Sequence, residues 1–170
     1  MKPSGVRWYE EEFITTSPNS FAALTRAIVD ATAYASKAEN RKEIAEAIAP
    51  ANYINAPVTV LEQVLTGTYA DGLGGVKTDA KRVDFDPFPW QSFAVWMLTQ
   101  MKRWGQIKGD VDYKAVAEQV YLATDTRKIM QEMGLAPPPT SYKSFAVMGK
   151  TFDPDKPDDY LAGFKIRKAS

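Results

Sequence analysis

The 170-residue sequence contains no cysteine and no histidine. Without cysteine there is no disulfide framework, no thiol nucleophile and no thiolate zinc site. Without histidine there is no Ser-His-Asp triad, and the side chain best suited to proton transfer near neutral pH is missing. Any catalysis would fall to carboxylates, lysine or tyrosine, so the chain is expected not to be an enzyme, with no catalytic residues, no metal site and no cofactor. An excess of one charge is also lacking: Lys plus Arg and Asp plus Glu both number 21. No net field draws the chain to nucleic acid or an anionic membrane. No apolar run approaches the length of a membrane span, so membrane insertion is not expected. Met1-Lys2-Pro3-Ser4-Gly5 is not followed by an apolar segment, so no signal peptide is expected in the chain as given.

What is present is an ordinary globular composition, 45% apolar and 25% charged, enough for one domain or part of one over residues 1–170. The richest segment runs from Phe85 to Gly105 and carries three of the four tryptophans, Trp90, Trp96 and Trp104. Pro89 suits the first turn of a helix and Gly105 its left-handed end. At about 100° per residue, Trp90, Phe93, Ala94, Met97, Met101 and Trp104 share one side, while Ser92, Thr99, Lys102 and Arg103 face away. Trp96 falls off that stripe, nearer Arg103. Two readings stand side by side: a wide core stripe, or an interaction surface at Trp96 and Arg103 against a second body.

Other helices follow from punctuation. Ser17 can cap and Pro18 open a helix reaching about Lys37, with Phe21, Leu24, Ile28, Ala31 and Ala35 inward. A second runs from Arg41 to Ala49, ended by Pro50, with Ile44, Ala45 and Ile48 inward. Ala56-Pro57 opens a third, carrying Val60, Leu61, Val64 and Leu65 and stopped at Gly67. Residues 68–88 read as a long irregular connection with at most a short extended piece at Val83–Phe85. Asp112 caps a helix over Tyr113–Tyr121, and Thr124 or Asp125 caps another ending at Gly134. From Ala136 the proline run starts an extended tail, 136–170, with one helical turn at Pro157–Leu161. The chain therefore reads as mainly α, with a long irregular loop and an extended C-terminal tail.

Short motifs add little chemistry. Gly72-Leu73-Gly74-Gly75-Val76-Lys77-Thr78 lacks the glycine before Lys-Thr and the strand and helix of a phosphate loop, and reads as a turn. The pairs around Asp112, Asp153 and Asp158 lack calcium-loop spacing and read as caps and turns.

Taken in order, Asn19-Ser20-Phe21, Ala38-Glu39-Asn40-Arg41-Lys42-Glu43-Ile44-Ala45, Tyr53-Ile54-Asn55-Ala56-Pro57, Trp96–Gln106 and Thr151–Tyr160 resemble the C-terminal part of the nitrate/bicarbonate-type solute-binding proteins of ABC transporters. The resemblance runs from about Glu11 to Ile166. It implies the C-terminal portion of a two-lobed, periplasmic-binding-protein type II α/β fold, whose cleft holds an oxyanion such as nitrate or bicarbonate and whose closed form meets an ABC permease. The first lobe, most of the cleft and the export signal are expected to be missing from this sequence, leaving a truncated piece not competent for ligand alone. Lys2, shortly before the first helix, would correspond to a charged residue that reaches the anion. The family setting is periplasmic, while the chain as given would be cytoplasmic. The alternative is a cytosolic nitrate-sensing or regulatory interaction module of the same ancestry.

Overall fold

The computed structural model describes residues 11–165, and these fall into two compact units divided between Pro87 and Phe88. The first unit begins with α1 (Glu11–Thr16) and α2 (Pro18–Ser36). Pro18 has no N–H to give and takes the first turn of α2. Ser17 does not cap with its side chain, as the sequence suggested. Its backbone carries the junction instead, its N–H donating to the Phe13 carbonyl and its carbonyl accepting from Phe21, both at 3.0 Å. Val29 and Ala35 are the buried positions of α2, whereas Ala31, expected inward, is exposed.

A 3-10 turn over Ala38–Asn40 leads into α3 (Arg41–Ile48), which packs on α4 (Val58–Thr66). Ala45, Leu61 and Leu65 form the centre of this contact, with Ile44, Ile48, Val58 and Phe85 around it. Arg41 closes it at one end: its Nη1 donates at 2.7 Å to the Leu65 carbonyl in the last turn of α4, where carbonyls lack helical partners and a cation is favoured. Between the helices the chain turns at Asn55, whose φ of 55° is left-handed.

Gly67 ends α4 at φ 76°, and a Cβ there would lie 1.9 Å from the Asp79 carbonyl oxygen. No other residue permits that approach. The segment that follows is a hairpin rather than an irregular loop: β1 (Thr68–Ala70) pairs antiparallel with β2 (Val76–Thr78), in register Thr68 with Thr78 and Ala70 with Val76. Val83–Phe85 forms no strand. A strand requires a partner ladder, and only the stretches on either side of the glycine-rich reversal are positioned to supply one.

The second unit is built on α5 (Gln91–Arg103), packed against α6 (Tyr113–Val120) and α8 (Pro157–Ala162), with α7 (Ala123–Glu132) following α6. Gly105 closes α5 at φ 72°, while Gln106 N–H returns to the Met101 carbonyl at 2.9 Å. Asp112 caps α6 as expected, accepting the Ala115 N–H at 3.0 Å. α7 begins at Ala123, so Thr124 and Asp125 lie inside its first turn and neither is the cap; Asp125 instead puts negative charge where the helix dipole favours it. The C-terminal part is not simply extended. β3 (Phe145–Val147) and β4 (Lys150–Phe152) make a second hairpin through Met148 and Gly149, at φ 53° and 73°. Two successive positive φ values give the turn whose twist matches antiparallel strands, although methionine is an uncommon residue for it. Each strand in the two hairpins has three residues, too few to show alternation in sequence.

Candidate functional site

The expected site residues centre on α5, and its inward face differs from the one sequence periodicity picks out. Ser92, Val95 and Thr99 have no exposure, and Trp96 and Arg103 are buried with them. Met101 and Trp104, placed on the core stripe by angular arithmetic, are instead exposed. The two hydroxyls tolerate burial because both find partners. Thr99 Oγ1 donates back to the Trp96 carbonyl at 2.6 Å, and Ser92 Oγ accepts the Lys143 N–H at 3.3 Å. Gln91 does the same at the start of the helix, its Nε2 donating to the Tyr121 carbonyl at 3.2 Å. Counting Ser and Thr as outward residues hid this face; their spacing around Val95 and Trp96 is the signal that could have revealed it.

Trp96 is held by its polar edge, its Nε1–H donating to Tyr160 Oη at 3.3 Å. Burying such a ring contributes roughly 2–3 kcal/mol. Tyr160 belongs to a run of rings across the unit: Phe93 meets Phe145 at 4.7 Å, Phe145 meets Phe152 at 5.3 Å, Phe152 meets Tyr160 at 5.1 Å, and Tyr160 meets Phe164 at 5.0 Å. Most are edge-on, the favoured geometry, each pair adding about 0.5–1.5 kcal/mol beyond area. Arg103 ends the run with its guanidinium carbon 4.0 Å from the Phe164 centroid, and its Nη1 donates to Gln100 Oε1 at 3.2 Å. Trp96 and Arg103 therefore lie inside this unit, neither of them on an exposed surface. Lys2 lies outside the described residues.

Other polar groups are arranged as fastenings. Arg127 donates from Nε to the Pro138 carbonyl at 3.1 Å and from Nη2 to Ser141 Oγ at 2.9 Å, and Lys143 sits 3.8 Å above the Trp90 ring. Together they strap the proline-rich segment to α5 and α7. Lys114 and Asp155 form an exposed ion pair at 2.5 Å, of a kind that contributes little to stability. Asp153 turns the chain by accepting the Asp155 N–H at 3.0 Å. Among the described residues, the tyrosines with displaced pKa values all move upward, away from use as bases: Tyr113 and Tyr121 chiefly through burial, Tyr142 to about 12 through burial and then Glu118, and Tyr34 through its hydrogen bond to Glu43.

An open cavity of about 210 Å³ lies beside α8, where Lys150 and Lys156 are matched by Asp153 and Asp159. Lys150 is already engaged, its Nζ donating to the Gly163 carbonyl at 2.6 Å. Such a balanced rim offers no net attraction for an anion. Among the described residues no three acidic side chains gather as a metal site. The glycine-rich segment 72–78 makes the reversal and runs into β2, and two of its amides are taken: Leu73 and Gly75 N–H both donate to Asp71 Oδ1, at 2.8 and 2.9 Å. These two donors are thus turned to a carboxylate of the same hairpin.

No model of a known protein family matches the chain. The fold does have a solved counterpart, the periplasmic nitrate-binding protein NrtA from Synechocystis, with a TM-score of 0.84 at 23% identity, over 91% of this chain and 43% of that one. The architecture is thus a mainly helical part of a periplasmic-binding-protein fold. In sequence the chain is 28% identical over 168 residues to the nitrate/nitrite binding protein NrtA of Nostoc sp., and 24% identical over 178 residues to the bicarbonate-binding protein CmpA of Synechococcus elongatus. These matches take in 93% of this chain but only 38% and 39% of the two relatives. The chain is similar to the C-terminal part of the nitrate/bicarbonate-type solute-binding proteins of ABC transporters, as its ordered segments indicated. Among the described residues, no helix is long and apolar enough to cross a membrane.

Proposed function

We propose that this chain serves as the C-terminal portion of an oxyanion-binding protein of an ABC importer, acts without catalysis, and does not hold nitrate or bicarbonate by itself. The observation that carries this reading is the length of the likeness: nearly all of the chain aligns with proteins named for nitrate and bicarbonate binding, over less than two-fifths of their length. The chemistry of the described residues supports it. The described residues form fastenings and a packed aromatic interior, and the cavity beside α8 is balanced in charge. In the complete protein, closing two lobes buries the anion among N–H donors and a cation, and the closed form meets the permease. Lys2 is the cation this chain would contribute. Trp96 and Arg103 serve the reading from inside, Trp96 by fixing α5 to Tyr160 of α8 and Arg103 by packing on Phe164 just beyond it. The alternative of a cytosolic sensing module has no observation here that favours it.

The test is calorimetric titration with nitrate and with bicarbonate. The 170-residue chain alone is expected to give no saturable heat into the millimolar range. The same chain joined to the remaining part of the Nostoc protein is expected to bind one of the two anions, with the affinity reduced at least tenfold by Lys2→Ala. Micromolar binding by the chain alone would sink the proposal.

A further inference from the structure

The α3–α4 corner and the outer side of α4 carry a surface that the proposed function does not use. α4 has a broad apolar side, only part of which is covered. Leu61 and Leu65 point into the cluster with Ala45, while Val60 and Val64, four residues apart, are 47% and 39% exposed. Its sequence, Val58 to Thr66, includes a single charged residue, Glu62. Thr59 and Gln63 make its polar side and are exposed, but Val60 and Val64 widen the apolar side of the helix beyond what the Ala45 cluster covers. Just before it, Tyr53 and Ile54 are 68% and 54% exposed.

These two side chains are presented by a held turn. Tyr53 and Asn55 N–H both donate to the Pro50 carbonyl, Ile54 N–H to Ile48 and Ala56 N–H to Ala49, at 2.9 to 3.3 Å. Asn55 takes the left-handed conformation that makes the reversal. Large apolar side chains on a pre-organised backbone lose little freedom on association, the usual condition for an interface anchor.

We infer that Tyr53, Ile54, Val60 and Val64 form the docking face for the remainder of the solute-binding protein, an apolar surface of the lobe that this chain does not itself contain. The inference rests on the importer reading and names a surface for it. The occupant is argued from the length of protein outside the structure. The solved relative shares the fold over 91% of this chain, yet 57% of that relative, the complement of the 43% covered, has no counterpart here. The near absence of charge on α4 fits a packed lobe and fits neither an anionic ligand nor nucleic acid.

The test joins this chain to the part of the Nostoc nitrate/nitrite binding protein that it does not match, and follows hydrogen exchange at residues 53–64 with and without that part. Exchange is expected to slow at least tenfold in the joined protein. The double variant Val60→Lys, Val64→Lys is expected to restore fast exchange there while leaving the melting temperature of the isolated chain unchanged. If the joined protein does not fold, the two pieces are mixed and followed by sedimentation; no complex at tens of micromolar overturns the inference. Equal exchange with and without the added part also overturns it. So does a dimer of the isolated chain that the double variant dissolves, since a second copy would then be the occupant. A joined protein that is protected at 53–64 but binds neither anion defeats the importer reading and leaves the face. One that binds an anion without protection there defeats the face alone.

Discussion

Residues 11–87 and 88–165 are similar in length and helical character but differ in how they treat apolar side chains. In the later region Phe88, Val95 and Phe152 have 1% exposure or less, and rings run in contact from Phe93 to Phe164. In the earlier region the α3–α4 contact is made by one alanine and two leucines, and Tyr53, Ile54, Val60, Leu73 and Val76 lie open to solvent. One region has enclosed most of its aromatic residues, Trp104 excepted, around a helix with a partly polar inner face. In the other, α4 carries a broader apolar side than its cluster with α3 covers. Helical content alone therefore does not say whether a piece of protein is finished; the fate of its large apolar side chains does.

The largest effect expected from this contrast is at Phe152, which has no exposure and touches two rings. Phe152→Ala should cost about 3–5 kcal/mol in urea unfolding. A loss below about 1 kcal/mol would mean that the aromatic run adds little and that the contrast is only geometric. Leu61→Ala comes next, expected to cost about 2 kcal/mol, the low end for such a truncation because its cluster is shallow. Hydrogen exchange should show its effect confined to residues 11–87; loosening of α5 as well would break the division into two units.

The smallest effect concerns the tyrosines, whose shifts follow the same contrast. In the later region burial leads, whereas Tyr34 in the earlier region is raised first by its hydrogen bond to Glu43. The folded pKa of Tyr142, about 12, lies above its ordinary value, so folding favours the protonated phenol. Its contribution is full below about pH 10 and is lost as the pH rises through 12. Phenolate absorbance should show a late-titrating tyrosine that Tyr142→Phe removes. A titration curve unchanged by the substitution would remove this part of the comparison.

Much of the helical framework was legible in the sequence because proline and glycine mark it. Pro18, Gly67, Gly105 and Gly134 stand where α2 begins and where α4, α5 and α7 give way to turns. Both hairpins were illegible for a physical reason: strands of three residues show no alternation, and the second reversal uses Met148 at positive φ, where asparagine or glycine would be expected. The inner face of α5 was misread because Ser92 and Thr99 were counted by polarity, although each can satisfy its hydroxyl through backbone groups. Of the site residues, Trp96 and Arg103 prove to be interior, and Lys2 lies outside the described residues. The balance of charge and the lack of histidine and cysteine narrowed the chemistry to be expected, but they could not locate a surface.

Gly67 carries one more implication. The end of α4, the start of β1 and the carbonyl of Asp79 converge on it, and Asp79 N–H donates back to its carbonyl at 2.8 Å. The register of the first hairpin is thus clamped at its base, while at the tip a Cβ on Gly72 or Gly74 would meet nothing within 4 Å. That separation makes the tip a natural insertion point. A fluorophore or short peptide tag placed beside Gly74 would ride on the protein without having to be accommodated by its packing.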